Sequence, residues 1–219
     1  MASASVTLGS ILDAAARGGF PPPDGTVTVV PQPSHRDAGV IAFTAHSVVF
    51  TDEDPGWVRS TLAALDCDPL AVTMSARFHS AFLDRTGRLT DTIDLLTVAP
   101  ALPGAPDPRL ELRELDGRDH PRVARARKRR DDVRVWSAAG GGVLVIGRGV
   151  AGRWETAIEV EEGVRHRGLG RALAGAARHL VPDGDLVWAQ QSPGNARSVR
   201  AFQAAGYRPV GSEALFFAG

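Results

Sequence analysis

The stretch Val164–Leu173, VRHRGLGRAL, sets three arginines and two glycines at the mouth of a helical-looking run. It reads either as a basic surface loop or as a loop shaped to hold a phosphate. Arg165, Gly168 and Gly170 spell Arg-x-x-Gly-x-Gly. Glycine lacks a Cβ, so backbone at 168 and 170 can approach a ligand closely. The N–H groups of a helix's first turn, with the helix dipole, favour an anion there. Arg165, Arg167 and Arg171 would add charge around a pyrophosphate. The glycine pattern alone decides little, because many strand-to-helix turns contain two glycines. Its neighbours must decide.

Working outward, RWETAIEV reads as a strand that closes on Val160, and GRALAGAARHLV carries apolar residues at helical intervals. DLVWAQQ follows as a strand, then NARSVRAFQAAG as a helix with Asn195 as N-cap and Gly206 as stop. YRPVG and ALFFA finish as two strands. Upstream, RLELREL alternates as a strand, and a helix is expected over His120–Arg130. DVRVWSA and GGVLVIGRG read as strands joined by the tight turn AGGG. This half is α/β.

The N-terminal half is α+β. LGSILDAAARGG is apolar at helical spacing and stops at Gly18-Gly19, while TVTVV and GVIAFTAHSVVF are strand-forming runs. Asp54 and Pro55 open a helix as N-cap and first helical residue. SARFHSAFLDRTG adds a helix and TIDLLTVAP a strand, with no catalytic motif in either. APALPGAPDP, residues 99–108, holds four prolines and reads as a stiff connector. The expected division is therefore 1–98, a linker at 99–108, and 109–219.

Composition narrows the function classes. The chain has 219 residues, with 25 basic balanced by 25 acidic, so no global field points to nucleic acid or an anionic membrane. No apolar run approaches the roughly 18–20 residues that span a bilayer, and the N-terminus lacks signal-peptide character. The single cysteine, Cys67, fits a reducing cytoplasm and reads as a plain thiol. The histidines show no metal-ligand spacing, so no metal is expected.

Two motifs in order make the reading specific. IEVEEGVRHRGLGRALAGAARHL resembles the acyl-CoA loop of the GNAT superfamily of N-acetyltransferases, with Val160 at the strand-closing valine and Arg165, Gly168 and Gly170 at the motif positions. NARSVRAFQAAGY resembles the family's asparagine-led helix ending in Gly-aromatic, here Gly206-Tyr207. The resemblance covers about half the chain. It implies a mixed-sheet α/β fold in the C-terminal half, beside an α+β N-terminal domain, with acetyl-CoA wedged between the fourth and fifth strands. It further implies that the backbone near Glu159–Glu161 meets the pantetheine arm and that Arg165, His166, Arg167, Gly168, Leu169, Gly170 and Arg171 surround the pyrophosphate. Val160 would supply an oxyanion donor. Asn195 would contact the pantetheine, act as a helix cap, or do both.

The implied reaction is direct attack of a primary amine on the thioester in a ternary complex. Glu155 and Glu159 share strand parity, and either is a candidate base or a solvated strand residue. The acceptor is a small-molecule or peptide amine, with a homodimer left open. The family's usual tyrosine acid falls here on Phe202, which has no proton to give, and Tyr207 reads as a packing residue. A non-catalytic acyl-CoA-binding or regulatory protein is therefore the alternative. The family usually has two helices where His120–Arg130 leaves room for one, so the N-terminal half is expected to supply the missing wall. The basic run Arg122–Arg130 is followed by Asp131-Asp132 and lacks interleaved aromatics, so it reads as a solvated face rather than a nucleic-acid patch.

Overall fold

A computed structural model describes residues 6–115 and 121–218. In chain order the elements are α1 (Leu8–Ala16), β1 (Val27–Val30), β2 (Asp37–Phe43), β3 (His46–Phe50), α2 (Pro55–Ala64), α3 (Ala76–Thr86) and β4 (Ile93–Pro100). There follow β5 (Arg113–Leu115), α4 (Pro121–Arg129), β6 (Asp131–Ala138), β7 (Gly142–Arg148) and β8 (Trp154–Val160). The chain ends with α5 (Leu169–Ala177), β9 (Leu186–Gln191), α6 (Ala196–Ala204) and β10 (Arg208–Phe217). The fold is mixed α/β. Its contacts divide it into two compact units, Met1–Leu95 with Val210–Gly219, and Leu96–Pro209.

In the first unit the strands run in the order β1-β3-β2-β10. β1 pairs parallel with β3, while β2 pairs antiparallel with β3 and β10. The expected cap is present at α2, where Asp54 accepts from the Trp57 N–H at 2.8 Å. α3 packs Phe78 and Phe82 into a core with Val40, Val49 and Phe216.

The second unit carries β4-β9-β8-β7-β6-β5. β6, β7 and β8 pair antiparallel, and β8 pairs parallel with β9, so this sheet is mixed. One face packs against α5 and α6 through Trp136, Leu144, Ile146, Leu173, Phe202 and Tyr207. The other face packs against α4 through Val123 and Ala126, over Val135 and Val145. His120, the expected first residue of that helix, lies outside the described residues.

Two expectations change. YRPVG and ALFFA are one continuous strand, β10. RLELREL keeps only Arg113–Leu115 as strand, because Asp107 ties down Arg109 at 2.7 Å and Glu111 turns to φ 44°. The proline-rich stretch, expected as a stiff connector, is hydrogen-bonded at its first residues. β4 runs into it as far as Pro100, after which the Ala101 and Leu102 N–H groups donate to the Asp185 and Arg178 carbonyls. Arg178 and His179 in turn bond the Pro100 and Pro103 carbonyls. Proline lacks a donor but keeps its acceptor, and the stretch uses those acceptors to bind along the second unit.

Candidate functional site

β8 is held unequally on its two sides. Against β7 it is registered over its whole length, from Trp154↔Arg148 to Val160↔Gly142. Against β9 the registered pairs are only Trp154↔Val187 and Glu155↔Trp188. The pairing with β9 therefore stops five residues before Val160.

Register also fixes where the backbone points. The Glu161 N–H donates to the Gly141 carbonyl at 2.9 Å, which makes that pair hydrogen-bonded. Antiparallel pairs alternate, so Val143–Glu159 bonds as well, while Val160 turns its N–H and C=O away from β7. Of the three residues Glu159–Glu161, only Val160 offers its backbone to the β9 side. Its carbonyl accepts from the Arg165 Nε at 3.1 Å, so Arg165 secures the strand end as well as adding charge.

Beyond β8 the chain makes a short 3-10 turn, Glu162–Val164, and then the glycine loop. His166 and Gly168 both lie in the left-handed region, at φ 68° and 85°. At Gly168 a side chain would be strained by the backbone although nothing lies within 4 Å of its Cβ position, so the surface there is open. Gly168 is the N-cap of α5 and no side chain caps that helix. A helix's first N–H groups have no intrahelical acceptors, and here they lie among exposed Arg165, His166, Arg167 and Arg171. Leu169 and Gly170 are half-buried, Leu169 packing on the core and Gly170 over Ile158 and Val160.

The two strand glutamates have different surroundings. Glu155 is buried, with Oε2 2.9 Å from the Arg130 Nε and Oε1 2.8 Å from the Arg153 Nε. The Val150 N–H also donates to it. A Cβ at position 149 would overlap this carboxylate, so a side chain there would push it out of its ion pairs. Burial pushes the Glu155 carboxyl up, but the Arg153 and Arg130 charges outweigh that and hold it at about 2. A carboxylate held so firmly ionised is a poor proton acceptor. Glu159, two residues past Ala157 on the same face, is exposed.

On the other face, Asn195 caps α6 by accepting from the Ser198 N–H at 3.1 Å, and its side chain remains exposed. Phe202 is buried edge-on to Tyr207, with ring centroids 4.9 Å apart. The Tyr207 hydroxyl donates to the Ala174 carbonyl, and burial pushes the phenol far up, so it holds its proton. It packs as the sequence suggested.

Arg130 and Arg153 were not singled out in the sequence. For Arg153 the signal was there, since residues 153 and 155 share a strand face. Arg130 was hidden inside a basic run whose Arg125, Arg127 and Lys128 are exposed. The neutral total also hides a division. The second unit holds nineteen Arg and Lys against thirteen Asp and Glu, and the first holds six against twelve. Among the described residues no group of His, Cys, Asp and Glu could hold a metal, and no helix is long and apolar enough to cross a membrane.

Comparison with known proteins gives structural neighbours only. No protein-family profile matches the sequence, and no curated protein matches it. Three solved structures similar to the chain are described as GNAT-family or GCN5-related acetyltransferases. One is a putative acetyltransferase from Novosphingobium aromaticivorans, 17% identical with TM-score 0.40, over 60% of this chain and 66% of that one. A second, from Colwellia psychrerythraea, is 10% identical with TM-score 0.36, over 64% of this chain and 61% of that one. The chain thus spans under two thirds of the length of both. A GCN5-related N-acetyltransferase from Kribbella flavida is 16% identical with TM-score 0.39, over 98% of this chain and 97% of that one.

Proposed function

We propose that the second unit transfers an acetyl group from acetyl-CoA to a primary amine by direct attack within a ternary complex. One observation carries this reading. β8 keeps two registered residues with β9 and turns the Val160 backbone to the side where that pairing has ended, next to an uncapped helix and its glycine loop. An extended pantetheine arm fits there as an added strand would. A pyrophosphate fits the α5 N-terminus, with Arg165, Arg167 and Arg171 around it. Asn195 keeps its amide group available beyond the cap. The basic surplus of this unit suits an anionic cosubstrate, and one half-buried thiol, Cys67, suits a reducing cytoplasm.

The acceptor amine must lose a proton before it can attack. Glu159 takes that proton, directly or through one water, while Glu155 holds the strand. As nitrogen bonds to the thioester carbon, the carbonyl oxygen becomes an oxyanion and accepts from the Val160 N–H. The carbon–sulfur bond then breaks and the sulfur leaves as thiolate. Phe202 offers no proton, so solvent protonates the thiolate.

Titration with acetyl-CoA, followed by a free-thiol assay over an amine panel, tests the reading. Binding with acceptor-dependent thiol release is expected. Tight binding without release would favour the acyl-CoA-binding protein that the buried Phe202 also suits. No binding would end both.

A further inference from the structure

Among the described residues, the α4 face of the second unit is only partly covered. Register lines up Leu115, Val135, Val145 and Ala157 as one row across β5, β6, β7 and β8. α4 lays Val123 and Ala126 over that row. Two residues further along each strand, on the same face, the same pairings line up Arg113, Ser137, Val143 and Glu159. Arg113 and Glu159 are exposed, and Ser137 and Val143 are half-buried. This second row ends at Glu159, next to the Val160 backbone.

We infer that the Arg113–Ser137–Val143–Glu159 row is the acceptor shelf, and that it selects amines carrying an anionic group at their far end. The inference rests on the acetyltransferase reading and goes beyond it by naming the acceptor's second charge. Opposite charges stand at the two ends of the row, three strand spacings or about 14 Å apart. The negative end receives the amine where the acetyl group is delivered. The positive end, Arg113, has no ion-pair partner among the described residues, and its planar guanidinium suits bidentate contact with a carboxylate or phosphate. Between them Val143 gives an apolar floor for a methylene or backbone spacer, and Ser137 adds a hydroxyl. A diamine of the same length would set a cation against Arg113 and be rejected.

The test measures kcat/KM with acetyl-CoA for three matched series of increasing length: ω-amino carboxylates, alkylamines and diamines. The amino carboxylates should be preferred over alkylamines by about tenfold, worth ~1.4 kcal/mol, once the chain is long enough to reach Arg113. Arg113→Ala should abolish the preference by lowering kcat/KM for the amino carboxylates about tenfold, and Arg113→Lys should restore part of it. Arg113→Glu should invert it towards diamines. Turnover of all three series without preference overturns the Arg113 assignment and leaves the transferase reading intact. Acetyl-CoA binding with no amine turned over overturns the transferase reading and the shelf with it.

Discussion

The two ends of β8 carry the same residue on the same face and use it oppositely. At the start of the strand, Glu155 lies under the end of α4 between two guanidiniums, where the strand is paired on both sides. At its finish, Glu159 is exposed beyond the row that α4 covers, and pairing with β9 has already stopped. One end is a fixed joint and the other an open mouth.

The comparison breaks hardest at the buried end. Glu155→Ala leaves Arg153 and Arg130 without their buried partner, and should cost about 3–5 kcal/mol of stability in denaturant unfolding. The pH dependence has a definite sign. The folded carboxyl is held at about 2, below its ordinary 4.5, so its contribution is complete above 4.5 and disappears as pH falls from there towards 2. Glu155→Gln should flatten acid unfolding in that window. An unchanged acid limb would mean that the triad does not anchor the strand.

At the open end, Glu159→Gln should change stability by no more than about 0.5 kcal/mol while lowering kcat about 100-fold. Steady-state kinetics beside thermal melts reads both. A kcat unchanged in a folded variant moves the proton acceptor elsewhere. The smallest effect concerns the loop. Gly168→Asp should weaken acetyl-CoA binding about tenfold, or ~1.4 kcal/mol, by facing a carboxylate to the pyrophosphate. Gly168→Asn, which tolerates the left-handed backbone without adding charge, should retain most of the affinity. Equal losses by calorimetry would assign the effect to backbone strain.

Much of this was legible because it is local. Strand parity put Glu155 and Glu159 on one face, helical spacing gave α5 and α6, and the caps at Asp54 and Asn195 fall where their side-chain chemistry demands. Burial was not legible, because it depends on how far α4 reaches along the sheet and where Arg130 lands. The bonding of the proline-rich stretch was hidden for a related reason. Its sequence announces missing donors, while its structural use lies in carbonyls whose partners, Arg178 and His179, are more than seventy residues away.

Because a Cβ at position 149 would overlap the Glu155 carboxylate, a substitution at either position changes what the other can accept. Any side chain at 149 evicts the carboxylate, and a sequence that has given up the glutamate is released from glycine.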